Sequence, residues 1–207
     1  MKTLDEIARS VSPGGDKDSA HHGYTPHYDE VFSPFRDKPI RLLEIGVEFG
    51  LSLNIWLEYF QNVHVTGVDI NDNNVRNSRF TFVKGDQRSP DFWKLFFVEI
   101  GGDFDIVIDD GCHKSSGIIT SFEAIWPHVK SGGLYCIEDL MCSYYASCDE
   151  PGWISSMQFV KGILDDINAQ TDYVNTPEGR VFRSDVNPSR KIAWLRQSEE
   201  LVILKKK

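Results

Sequence analysis

At 207 residues, 41% hydrophobic and 26% charged, the chain has the size and composition of one globular domain, too long for a disulfide-stapled miniprotein and short for two full domains. No apolar stretch approaches the roughly 20 residues that span a bilayer, so no membrane association is expected. A formal net charge of −9 disfavours a duplex nucleic-acid partner, whose binding rests on Lys and Arg neutralising phosphates. Met1 to Ser10 lacks the basic-then-apolar order of a secretory signal, and a cytoplasmic address is expected. Cys112, Cys136, Cys142 and Cys148 form no C-x-x-C pair, so reduced thiols without a zinc site are expected. The terminal Lys205, Lys206 and Lys207 read as a solvated end.

After a short amphipathic start, Ser12 to Gly23 is Gly-rich and polar, lacks apolar periodicity and reads as loop. Thr25 followed by Pro26 predicts an N-cap with proline at the first helical position, opening a helix that carries Tyr28, Val31 and Phe32. From Ile40 the pattern repeats as a short apolar run, a Gly or Asp turn and a helical segment, the order of a parallel α/β sheet. Strands are predicted at 40–45, 63–68, 80–84, 104–109 and 132–137, with helices near 51–60, 89–98, 115–128 and 153–169. Ile192 to Leu195 and Leu201 to Leu204 are apolar runs separated by a polar turn, a hairpin signal. The expected architecture is a single domain over 1–207, with N-terminal helices and a lid over 1–38 and a Rossmann-like α/β core over 39–207. That core is a mostly parallel, seven-stranded sheet with a C-terminal antiparallel hairpin and helices on both faces.

The first predicted strand runs into Glu44-Ile45-Gly46-Val47-Glu48-Phe49-Gly50, where glycines let the backbone pass close to a ligand at the carboxyl edge of the sheet. A dinucleotide site would want G-x-G-x-x-G and a helix N-terminus facing phosphate; here only Gly46 and Gly50 are present, and Glu48 would repel phosphate. A ligand with a sulfonium, an ammonium and a ribose diol, such as S-adenosylmethionine (SAM), suits Glu44, Glu48 and Asp69, the last of which ends the second strand where an acid meets ribose hydroxyls. Asp86 and Gln87, after the third strand, form a polar edge for adenine or, alternatively, a turn and helix cap.

The fourth strand runs into Asp109-Asp110-Gly111-Cys112-His113 and the fifth into Glu138-Asp139, so two acid pairs lie at the carboxyl ends of strands predicted to be adjacent. Converging carboxylates either take up protons or hold a cation, and oxygen ligands point to a hard ion such as Mg²⁺; turn formation and capping are the alternative. His113, three residues past Asp110, is the candidate general base. Tyr24 and Tyr28, with His21, His22 and His27, form a polar aromatic cluster expected to fold over the cleft as a lid or, alternatively, to lie on a surface loop and helix face, and Tyr144 and Tyr145 lie in the loop expected to meet the acceptor.

Taken together, Leu42-Leu43-Glu44-Ile45-Gly46, Gly67-Val68-Asp69-Ile70, Gly85-Asp86-Gln87, Asp109-Asp110-Gly111-Cys112-His113 and Ile137-Glu138-Asp139 resemble the metal-dependent sugar O-methyltransferases of macrolide biosynthesis, of the macrocin and mycinamicin type. The likeness also takes in Asp16-Lys17 and His22-Gly23-Tyr24, and so covers nearly the whole chain. It implies a class I methyltransferase fold with SAM as donor, its site including Glu44, Gly46, Gly50, Asp69, Asp86, Gln87, Asp109 and Asp110. It further implies Mg²⁺, or a similar hard divalent cation, on Asp110, Glu138 and Asp139, with His113 as base. Cys112 stands where the family usually has Ser.

The expectation is therefore Mg²⁺-dependent methylation of a sugar hydroxyl on a glycosylated natural product or glycan. The acceptor is a small molecule or glycan, and a homo-oligomer is in keeping with related sugar methyltransferases. The rival readings are a catechol or small-phenol O-methyltransferase, a non-catalytic SAM-binding domain, and an NAD or nucleotide-sugar binder, the last opposed by Glu48 and the missing third glycine.

Overall fold

The computed structural model describes residues 1–72, 75–168, 173–177, 179–182, 187 and 190–207. Five strands, β1 (Pro39–Ile45), β2 (Asn62–Asp69), β3 (Phe80–Lys84), β4 (Phe104–Asp109) and β5 (Val129–Ile137), pair in parallel. A small separate hairpin, β6 (Tyr173–Thr176) and β7 (Gly179–Phe182), comes next; β8 (Ile192–Gln197) and β9 (Val202–Lys206) then rejoin the main sheet antiparallel. The seven-stranded order is β3-β2-β1-β4-β5-β9-β8. The expected parallel sheet with a C-terminal antiparallel pair is thus present, and the β6–β7 hairpin is an addition that the residue pattern did not announce.

Helices α1 (Leu4–Val11), α2 (Tyr24–Phe32) and α3 (Leu51–Tyr59) cover one face of the sheet; α4 (Pro90–Glu99), α5 (Ser115–Ile125) and α6 (Ser156–Asn168) cover the other. Alternate strand residues serve the two layers. Leu42, Ile106, Ile108, Leu134 and Cys136 pack with Leu4, Tyr28, Phe32 and Trp56, whereas Leu43, Val107, Tyr135 and Ile137 pack with Trp93, Phe122 and Val160. Because both faces are buried, each strand needs apolar side chains at successive positions, which is why these strands read as continuous apolar runs.

Local chemistry sets the helix ends. Thr3 and Glu6 form a reciprocal capping box at the start of α1. The cap of α2 is Gly23 at φ 71°, not Thr25 as expected, and the Thr25 hydroxyl instead donates to Asp5 at 2.6 Å. Pro127 ends α5 early and leaves Trp126–His128 as a 3₁₀ turn, so the helix is shorter than the predicted 115–128. Residue 169, the last of the predicted helix 153–169, lies outside the described residues. The basic C-terminus is not a free end: Lys206 in β9 donates to the carbonyl oxygens of Trp126, Pro127 and Val129 at 2.8, 3.0 and 2.8 Å. All four cysteines are free thiols, and no helix among the described residues is long and apolar enough to cross a membrane.

Successive strands run outward from β1 in one direction to β3 and in the other to β5, so the chain reverses its progress between β1 and β4, the place where open α/β sheets leave a crevice. Backbone hydrogen bonds continue past the strand ends there: Gly46 donates to Val68 at 2.8 Å, Asp110 to Ile45 at 2.9 Å and Glu138 to Asp109 at 3.0 Å. Gly46, Asp110 and Glu138 consequently follow one another across the carboxyl edge of the sheet.

Candidate active site

The turn after β1 is shaped by its glycine. Gly46 has φ +83°, and a Cβ there would lie 1.9 Å from the Asp110 carbonyl oxygen, so no other residue fits. The Asp69 carboxylate then accepts hydrogen bonds from the Val47 and Glu48 backbone at 3.1 and 2.9 Å and from Asn71 at 2.8 Å, fastening this turn to the end of β2. Beside it opens a cleft of about 510 Å³. Its walls carry six carboxylates, those of Asp16, Glu48, Asp69, Asp86, Asp110 and Asp139, and one of its basic residues, Arg88, is paired with Asp86 at 2.8 Å. A cleft of that sign suits a cationic ligand and repels phosphate.

At one end of the cleft stand Asp110, His113 and Asp139. His113 Nε2 is 3.4 Å from Asp139 Oδ2 and 3.9 Å from Asp110 Oδ1, and one ligand atom from each of the three residues falls within 4.8 Å of the others. Backbone strain accompanies this grouping: His113 and Asp139 have φ 54° and 55°, and Glu48 in the first turn has φ 43°. Non-glycine residues hold such angles only where surrounding contacts impose them, and they gather at functional sites.

Beneath these residues the carboxylates are held from the N-terminal side. Tyr24 donates to Asp139 at 2.5 Å and Tyr28 to Glu138 at 2.6 Å. Lys17 donates to Asp110 at 2.5 Å and also to the second oxygen of Glu138. Burial alone would push the Lys17 ammonium down, but the charges of Asp110 and Glu138 hold it well above its ordinary value, so it is a cation. Burial pushes the Glu44 carboxyl up to about 7, against the pull of Lys17 and the Trp56 indole, which donates to it at 3.0 Å. On the far side of Asp139, His22 Nδ1 pairs with Glu200 at 2.8 Å; burial lowers the imidazole pKa, and the Glu200 hydrogen bond with the Asp139 charge more than reverses that. His22, Asp139 and Glu200 make a second group of potential metal ligands.

Residues 43–140 match the methyltransferase-domain family. Over those residues the sequence is that of a methyltransferase domain. It is 39% identical over 162 residues to demethylmacrocin O-methyltransferase of Streptomyces fradiae, covering 72% of this chain and 41% of that protein. To mycinamicin VI 2''-O-methyltransferase of Micromonospora griseorubida it is 42% identical over 132 residues, 60% of this chain and 33% of the relative. The solved structure of the MycE methyltransferase from the mycinamycin biosynthetic pathway, in complex with Mg, SAH and mycinamycin VI, superposes with a TM-score of 0.84 at 32% identity, covering 99% of this chain and 53% of that one. The fold is the class I methyltransferase fold, and the likeness to the methyltransferase of the mycinamycin pathway extends over the whole sheet. The chain spans less than half the length of these two curated relatives.

Within the methyltransferase domain, Gly46, Asp69, Asp86, Gln87, Asp110, His113 and Asp139 all line the cleft. Gly50 caps α3 at φ 76°. Asp109 is placed elsewhere than the motif implies: its carboxyl is buried, accepts from Ser121, Gln87 and Tyr135, and takes no part in the cleft wall. Gln87 reaches the cleft, but its amide is committed to Asp109 and to the Cys112 backbone, so it braces the β4 turn. Glu44 is likewise buried and behind the wall. Glu138 is buried with both oxygens engaged by Tyr28 and Lys17, which separates it from the Asp110, His113 and Asp139 group. Tyr24 and Tyr28 are buried struts of the carboxylates rather than a cover over the cleft, because their hydroxyls find acceptors only by turning inward. Tyr144 and Tyr145 are exposed, in and just after the 3₁₀ turn Leu140–Tyr144, and do not line the cleft. Lys17 and Glu200 are the residues that sequence reasoning did not single out as parts of the site, and only the quoted Asp16-Lys17 motif hinted at the first; His22, expected in the lid cluster, pairs instead with Glu200 beside Asp139.

Proposed function

We propose that this methyltransferase domain transfers a methyl group from SAM to a hydroxyl of a sugar on a glycosylated natural product or glycan, using a hard divalent cation such as Mg²⁺ and His113 as general base. The observation that carries the reading is the acid-walled cleft beside Gly46 ending at Asp110, His113 and Asp139. The six carboxylates of the wall fit a sulfonium and an ammonium, and Asp69 at the end of β2 fits a ribose diol. Asp110 and Asp139, with oxygen donors facing His113, fit a hard cation, and Glu138 is the proposed third ligand, each of its oxygens keeping a lone pair beside its hydrogen bond from Tyr28 or Lys17. The relatives named above support the acceptor class, being O-methyltransferases of demethylmacrocin and of mycinamicin VI by name.

When bound, the cation supplies charge stabilisation for an acceptor alkoxide and SAM supplies the methyl electrophile. The chain's own residues do the rest. His113 takes the hydroxyl proton on its imidazole, and Asp139, 3.4 Å from Nε2, favours the imidazolium that results. Tyr24 and Tyr28 fix the two acids of the β5 end, so the base and its carboxylate partners do not have to reorganise. The exposed Tyr144 and Tyr145, directly after β5, are assigned to the acceptor.

Transfer of labelled methyl from SAM to a panel of glycosides and catechols, with Mg²⁺ and with EDTA, tests this. Methylation of a glycoside that stops in EDTA is expected. Methylation of catechols alone overturns the acceptor, full activity in EDTA overturns the cation, and NAD binding more tightly than SAM in calorimetry overturns the donor.

A further inference from the structure

We infer that Lys17 is a built-in counter-charge of the acid cluster, a positioning residue that neutralises Asp110 and Glu138 and to which a divalent cation adds; this rests on the metal reading above. Lys17 is 4% exposed and, among the described residues, is the only buried Lys or Arg. Its partners lie 93 and 121 positions away, at the ends of β4 and β5. Desolvating an ammonium is expensive, and a loop that needed only an anchor would bury an apolar side chain there instead. The cost is met because two carboxylates face each other at this edge of the sheet and require positive charge whether or not a metal is bound.

The division of oxygen atoms gives Lys17 its place. It takes Asp110 Oδ2, leaving Oδ1 on the side of His113, and it takes one Glu138 oxygen while Tyr28 takes the other. The backbone around it is set independently: Thr25 donates to the Lys17 carbonyl at 3.0 Å and His22 to the Asp16 carbonyl at 2.9 Å. The turn before α2 therefore presents the ammonium to the acids, while the adjacent Asp16 lines the cleft.

Lys17→Met keeps the chain length and removes the charge. Thermal unfolding without SAM, in EDTA and in Mn²⁺, is the first measurement, and Mn²⁺ binding followed by electron paramagnetic resonance is the second. In EDTA the variant is expected to melt roughly 10 °C below wild type, as for a broken buried ion pair. Mn²⁺ is expected to recover at least half of that deficit, and to bind the variant about tenfold more tightly because one repelling charge is gone. A deficit that Mn²⁺ leaves untouched, with equal Mn²⁺ affinity in both proteins, makes Lys17 a plain structural tie and overturns the proposal alone. Mn²⁺ binding to neither protein overturns the metal reading and this proposal together. Should Lys17→Met not fold, Lys17→Met/Glu138→Gln removes one charge of each sign and is expected to fold; a double variant that also fails to fold, while Glu138→Gln alone folds, refutes charge compensation.

Discussion

Tyr28 in α2 donates its hydroxyl to Glu138 at the end of β5, 2.6 Å away and 110 positions along the chain. Both groups are buried, and the second Glu138 oxygen is held by Lys17, so helix α2 and the loop before it close on one strand end. Tyr28→Phe leaves that oxygen without a donor in a dry site and is expected to cost roughly 1–3 kcal/mol. Urea unfolding checks this, as a lower midpoint at unchanged slope. Tyr24→Phe, whose partner Asp139 is only half-buried, should cost less; equal losses would contradict the burial argument.

Glu44 makes stability depend on pH with a definite sign. Burial raises its pKa from 4.5 to about 7, so between those values the folded state holds a proton that the unfolded state has lost. Its contribution is full below pH 4.5 and fades as pH rises through about 7. Glu44→Gln retains an acceptor for the Trp56 indole without the charge. The variant's melting temperature is expected to gain on wild type as pH goes from 5 to 8, and a gap that stays constant across this range would show that Glu44 does not titrate there.

Asp69 has two tasks, tying the Val47–Glu48 turn to β2 and, in the proposed function, meeting the ribose diol. Asp69→Ala is expected to weaken SAM binding by roughly 1–3 kcal/mol through lost hydrogen bonds to a charged acceptor. Calorimetry measures it. An unchanged affinity would remove Asp69 from the cofactor site and leave it a purely structural brace.

His113→Ala is expected to lower methyl transfer by about 10²–10⁴, with SAM affinity near that of wild type and no rescue by excess Mg²⁺. Asp139→Ala should instead recover part of its activity in excess Mg²⁺, because a weakened ligand set is filled by mass action. Single-turnover rates over a Mg²⁺ series separate the two. A His113→Ala enzyme within a few-fold of wild type on its true acceptor would sink the base assignment while leaving the fold intact.

Much of the architecture was legible in the residues alone. Runs such as Leu42-Leu43 and Ile106-Val107-Ile108 mark strands buried on both faces, and the acids that follow them, Asp69, Asp110, Glu138 and Asp139, had to emerge along the carboxyl edge because parallel strands all point the same way. Local pattern determined that much because backbone pairing and burial are encoded within a few residues. Three things were decided only by the tertiary structure. Lys17, in a loop without periodicity, and Glu200, in the final turn, reach the site through contacts of 93 to 178 positions, which no local period records. Asp109 and Asp110 are indistinguishable as neighbours in sequence, yet the alternation of the strand buries the first among Ser121 and Tyr135 and turns the second to the cleft. The left-handed backbone at Glu48, His113 and Asp139 is intrinsically disfavoured for such residues, so only the packing that surrounds them in the folded chain sets it.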